Sequence, residues 1–274
     1  MDPNDSTAPN DSTAPDDGTS PDDDTSSGGR ADALPFATPD ADRPDPSSPA
    51  LDQRPARGGT RGVALFCHGG TAASLEPPKE RALSLVRMRA FEQFVHRSAA
   101  DQGIATAMLR YRVAGWNGGA ADAFQDVRWA VAQLREEHGT DVPIVLVGHS
   151  MGGRAALRAG GEPSVTAVCA LAPWTPPGEP VMHLRDQTVV ILHGRGDRWV
   201  PAKLSADFGV RARRAGARVA RFTIEGGHSM VRRAHRWHTF TRDVVLAGTG
   251  IEAMPADITN ALQQPSPDGL AVPL

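Results

Sequence analysis

Apolar positions along this chain follow two periods that take turns. Short runs with almost no polar interruption, at 62–67, 104–110, 142–147, 164–171, 188–192 and 218–224, predict strands buried on both faces. Between them, apolar residues recur near every 3.6 positions and predict helices over 80–101, 120–137, 204–215 and 231–246. In the first helix Leu83, Val86, Ala90, Phe94 and Val95 are expected on the inner face. In the second, Phe124, Val127, Val131 and Leu134 are. A short helix after residue 150 completes the alternation. Strand followed by helix, repeated, predicts an α/β fold: a mostly parallel sheet of about six strands with helices on both faces. Such sheets bind ligands beyond the carboxyl ends of their strands.

The pattern begins only near residue 61. Before it, residues 3–26 repeat a decaying hexapeptide, Pro-Asn-Asp-Ser-Thr-Ala and its Asp-rich variants, and residues 27–60 stay rich in Pro, Gly and Asp. The first 60 residues hold 13 Asp against 4 Arg, whereas the whole chain is only −3, so the remainder is net basic. A segment with little to bury and many like charges predicts a disordered acidic tail and linker. The expected division is therefore 1–60 tail, 61–250 folded α/β domain and 251–274 an irregular extension.

Composition narrows the function classes. Arginine outnumbers lysine 27 to 2, which reads as the codon usage of a GC-rich genome and not as a nucleic-acid surface. The basic run Arg211, Arg213, Arg214, Arg218 and Arg221 is expected to be solvated surface, a place where the acidic tail could dock. Cys67 and Cys169 each fall in an apolar strand pattern and predict two buried, reduced thiols. The first residues lack a basic and apolar leader, and no run reaches the ~18 apolar residues of a membrane span. A cytoplasmic protein without membrane or nucleic-acid partners is expected; the oligomeric state is left open.

The chemistry concentrates at strand ends. Gly148-His149-Ser150-Met151-Gly152 lies between the third strand and a helix, the pattern of a nucleophile elbow. A serine hydroxyl is a weak nucleophile and needs a base, which in turn needs a carboxylate to orient it. His228, in Glu225-Gly226-Gly227-His228 after the sixth strand, is the candidate base. Asp197, in His193-Gly194-Arg195-Gly196-Asp197 after the fifth, is the candidate orienting group. The backbone amides of Met151 and Gly70, the latter in His68-Gly69-Gly70-Thr71 after the first strand, are the candidate oxyanion donors, with Thr71 the reserve. Trp174, Trp116 and Trp199 sit in loops at the same ends and are candidate walls of a substrate pocket, together with His149 and Thr71. Arg112 is assigned to holding the glycine-rich loop through a salt bridge, in preference to binding a substrate carboxylate. His68 and His149 are assigned packing roles beside the site. His235 and His238 lack a third ligand, so no metal is expected.

These residues together, over 61–247, resemble the α/β-hydrolase family, with dienelactone hydrolase-like and small carboxylesterase-like members the most similar. The resemblance implies that fold, a Ser150–His228–Asp197 triad, an acyl-enzyme, no cofactor and a small-molecule ester substrate, with thioesters or lactones in range. A peptidase, an acyltransferase or perhydrolase of the same fold, and a non-catalytic binding module are the alternatives. Two departures from the family pattern accompany it. The antiparallel strands that usually open the sheet are not visible before residue 61. Only residues 172–187 lie between the fourth and fifth strands, too few for a helical cap, so little or no lid is expected.

Overall fold

The computed structural model describes residues 48–265 and 267–274. The acidic repeat at 3–26, and with it the expected disorder and docking of the tail, lies outside the described residues. The sheet has eight strands. They are β1 (Ala50–Arg54), β2 (Gly62–Cys67), β3 (Ile104–Arg110), β4 (Ile144–His149), β5 (Val165–Leu171), β6 (Thr188–Gly194), β7 (Arg218–Ile224) and β8 (Val272–Pro273). Their order is β1-β3-β2-β4-β5-β6-β7-β8, and every pairing is parallel except β1 against β3.

Helices cover both faces, as the alternating pattern requires. On one face lie α2 (Asp122–His138), α3 (Met151–Arg158) and α4 (Ala202–Arg214). On the other lie α1 (Leu83–Ala99), α5 (Ala234–Gly248) and α6 (Ala256–Gln263). The strands divide their side chains between these layers residue by residue. Val63, Leu65 and Cys67 enter the first core, while Ala64 and Phe66 enter the second. Period-two alternation on a sheet buried from both sides is why the strand runs read as continuously apolar.

Four expectations need correction. A strand does precede residue 61: β1 is an antiparallel edge strand, half exposed, with Asp52 paired to Arg110 across to β3. The C-terminal extension is not irregular, since α6 packs Ile258 and Ala261 into the core and β8 pairs with β7. The inner face of α1 is Leu85, Met88, Phe91, Val95 and Ala99, whereas Leu83 and Val86 are exposed. The basic run is also only in part a solvated patch: Arg214 and Arg218 are exposed, but the others are not. Arg221 is buried on β7 and donates to Leu270 O and Ala202 O, and Arg213 donates to Val219 O and Ala261 O. These arginines tie the C-terminal segment to the sheet.

Candidate active site

The elbow forms because its glycines admit no side chain. A Cβ on Gly148 would run into Gly152 O, and one on Gly152 into the carbonyl oxygens of Cys67 and His68. Strand β4 therefore passes into α3 within one residue. Ser150 takes the strain, with φ 56° and ψ −117°, a conformation that costs a non-glycine residue about 1–3 kcal/mol. Its backbone is tied on both sides: its N–H donates to Leu171 O at 3.1 Å and its carbonyl accepts from Trp174 N at 3.0 Å.

Asp197 and His228 reach this point from two further strand ends. His228 Nδ1 donates to Asp197 Oδ2 at 2.7 Å. The other carboxylate oxygen accepts the amides of Trp199 at 3.0 Å and Val200 at 2.9 Å. Burial opposes charge on Asp197, but hydrogen bonds from His193, His228 and the Val200 amide outweigh it and hold the carboxyl well below the usual range. An ionised partner at Nδ1 keeps the proton there and leaves Nε2 of His228 as the basic nitrogen. Ser150 and His228 line one open cavity of about 400 Å³, together with Gly69, Gly70 and His149. Among the described residues no hydrogen bond joins Ser150 Oγ to His228.

His193, quoted in the sequence only as part of the strand end, turns out to hold Asp197 from behind. Its Nε2 lies 3.2 Å from Asp197 Oδ2 and 3.0 Å from Val200 O. Both are acceptors, so Nε2 carries the proton. On its far side Nδ1 meets Ser205 Oγ at 2.8 Å, and Ser205 in turn accepts from Arg221 Nε at 3.0 Å. A buried chain therefore runs from the carboxylate to β7. A histidine four residues before the acid was the available signal.

His68 and His149 do more than fill space. Nδ1 of His68 lies 2.7 Å from Gly69 O and donates to it. In a planar trans peptide the N–H points opposite to the C=O. Fixing Gly69 O therefore turns the Gly70 amide away from His68. Gly69 packs against Ser150, since a Cβ there would lie 3.3 Å from Ser150 Cβ. His149 Nε2 donates to His228 O at 3.0 Å and so positions that loop. Burial pushes His68 down to about 4 and His149 down to about 3, so both act as neutral donors near pH 7.

The amides of Gly70 and of Met151, the first residue of α3, have no hydrogen-bond acceptor among the described residues. Thr71 is different. It is exposed, and its amide is taken by Ala114 O at 2.9 Å, which removes it as reserve donor. Thr71 instead bridges the glycine loop to Gly115. The 111–118 loop is held in turn by Arg112, which pairs with Asp126 at 2.5 Å and Asp122 at 3.3 Å.

The tryptophans separate. Trp199 lines the cavity and is stacked near His228, with ring centroids 6.0 Å apart. Trp116 and Trp174 do not line it. Trp116 is buried in the core, and the Arg154 guanidinium lies 3.7 Å over Trp116 and 4.7 Å over Trp174. Both rings therefore face that cation and not the cavity. Thr71 is also outside the cavity lining, whereas His149 is in it. Among the described residues no group of three or more His, Cys, Asp or Glu is arranged to hold a metal; His238 packs edge-on against Phe91 at 4.3 Å.

A strained serine at an elbow, beside a carboxylate-bound imidazole at the carboxyl end of a mostly parallel sheet, defines the class of α/β hydrolases. The alpha/beta hydrolase family model matches residues 64–264, and the chain belongs to that family. Solved structures share the fold at low identity. One is an Agrobacterium tumefaciens protein of unknown function assigned as an alpha/beta hydrolase (15% identity, 75% of this chain and 93% of that one, TM-score 0.58). Others are Thermogutta terrifontis esterase 2 phosphoramylated by tabun (19%, 75% and 91%, TM-score 0.57) and Est1E of Butyrivibrio proteoclasticus with ferulic acid bound (15%, 74% and 96%, TM-score 0.54). No curated protein matches the sequence. No helix among the described residues is long and apolar enough to cross a membrane.

Proposed function

We propose that this chain is a serine esterase acting on small carboxylic esters. The observation that carries the reading is the 2.7 Å contact between His228 Nδ1 and Asp197, on the same cavity as the strained Ser150. Ser150 Oγ attacks the acyl carbon while His228 Nε2 takes its proton. Asp197 keeps Nδ1 protonated and stabilises the imidazolium. The amides of Met151 and Gly70 receive the oxyanion, a contribution typically worth ~10²–10³ in turnover per donor. His228 returns the proton to the leaving alkoxide, and the alcohol departs. Water then attacks the acyl-enzyme by the same route and releases the acid. Hydrogen bonds of this kind often tighten only when substrate is bound, so the open Ser150–His228 pair is compatible with the cycle.

The esterase neighbours support the ester reading at the level of fold, and the open cavity suits a small substrate. A panel of 4-nitrophenyl esters beside aminoacyl-4-nitroanilides tests it. Ester turnover is expected, with Ser150→Ala lowering it by about 10⁴–10⁶. Activity of Ser150→Ala within tenfold of wild type, or anilides cleaved faster than esters, contradicts it.

A further inference from the structure

The cavity beside Ser150 carries positive charge that its walls do not neutralise. Arg87 enters it from α1, and Arg198 from the loop between β6 and α4. The lining contains no Asp or Glu. Several arginines elsewhere in the described chain meet carboxylates. Arg89, on the same helix as Arg87, meets Asp52 and Glu80. Arg112 meets Asp122 and Asp126. Arg87 and Arg198 meet no carboxylate within 4.0 Å among the described residues. Asp197, next to Arg198 in the chain, is spent on two histidines.

Burial makes this costly for Arg87. Desolvation pushes its guanidinium below the usual range, with no acidic neighbour to offset it. A partly desolvated, unpaired guanidinium facing a cavity is suited to a bidentate carboxylate. The rim also carries two large apolar side chains: Leu83 and Trp199 are 79% and 84% exposed, and both line the cavity. Exposed apolar groups beside two cationic side chains, half-buried Arg87 and exposed Arg198, fit a substrate with a hydrocarbon part and an anionic end.

We infer that the ester cleaved here carries a carboxylate, on its acyl or its alcohol part, which Arg87 and Arg198 bind while the ester carbonyl faces Ser150. This rests on the serine-esterase reading and names its substrate class.

Two matched substrate pairs test it on the full chain: 4-nitrophenyl hemiadipate against 4-nitrophenyl hexanoate, and 4-acetoxybenzoate against phenyl acetate. At low salt the anionic member of at least one pair is expected to show a kcat/KM at least tenfold higher, a preference that shrinks as salt screens the charges. The double variant Arg87→Gln/Arg198→Gln is expected to lower that preference at least tenfold without changing the melting temperature. Neutral esters preferred in both pairs, or a preference unchanged in the double variant, overturns the inference while leaving an esterase. Calorimetric titration of the same anionic esters into Ser150→Ala reads the binding apart from turnover. Binding of the anionic ester there, lost in Arg87→Gln/Arg198→Gln and accompanied by no ester turnover in wild type, supports the anion site and contradicts the esterase reading.

Discussion

Two buried carboxylates in this molecule are each gripped by two bases, and they behave as opposites. Glu179 lies between Arg154 at 2.5 Å and Arg158 at 2.8 Å, with a side chain 1% exposed. Asp197 lies between His193 at 3.2 Å and His228 at 2.7 Å, with a side chain fully buried. Both are satisfied ion sites in a low-dielectric setting. Arginine cannot give up its proton, so the Glu179 site is fixed, and it stitches α3 to the segment after β5. An imidazole can take up a proton and give it back, and one of the two at Asp197 opens onto a cavity beside a strained serine. On the proposed esterase reading, reactivity follows from what the carboxylate's partners can do, not from burial of the carboxylate.

Substitutions at the two sites should separate accordingly. Asp197→Asn removes the anion that orients His228 and is expected to lower ester turnover by about 10⁴ while leaving a folded protein; a loss under tenfold would show that Asp197 has no such role. Glu179→Gln strands two arginine charges and is expected to cost about 3 kcal/mol in urea unfolding, with kcat within a few-fold of wild type in what remains folded.

Acid should weaken the fold through the two neutral histidines beside the site. An unfolded histidine titrates near 6.5, whereas folded His149 and His68 titrate at about 3 and about 4. Below pH 6.5 the unfolded chain binds protons that the folded chain refuses, so stability falls as pH drops. Each histidine contributes up to about 1.4 kcal/mol per pH unit down to its folded value. Urea midpoints at pH 7.5, 6 and 5 should show this, and His149→Asn should flatten the slope. The smallest expected effect is a null one. Burial raises Cys67 and Cys169 to about 12, so neither should react with iodoacetamide at pH 8 until the protein is unfolded.

The sequence carried the inner strands to within a residue or two because runs such as 104–110 are apolar on both faces and end in turn residues. It hid β1, whose residues Asp52, Gln53 and Arg54 are exposed and leave no apolar period. It misplaced the inner face of α1 because Leu83 is apolar for the cavity rim, not for the core, and a periodicity count cannot tell the two apart. Arg221 read as surface because its partners, Ser205, Ala202 O and Leu270 O, are distant in sequence. Ser150, Asp197 and His228 were legible because each sits at a fixed offset from a strand end. The indoles and Arg198 were not, since side-chain direction in loops is set by neighbours such as Arg154 that no local pattern announces, and Arg87 is a polar residue of α1 that an apolar period does not single out.

The central claim is that Asp197 and His228 make Ser150 a nucleophile. Reaction of the folded chain with a fluorophosphonate, followed by peptide mapping, tests it most directly. The account predicts one adduct, on Ser150, forming at least a hundredfold more slowly in His228→Ala. No adduct on folded wild-type protein, or equal rates in the two proteins, would contradict it.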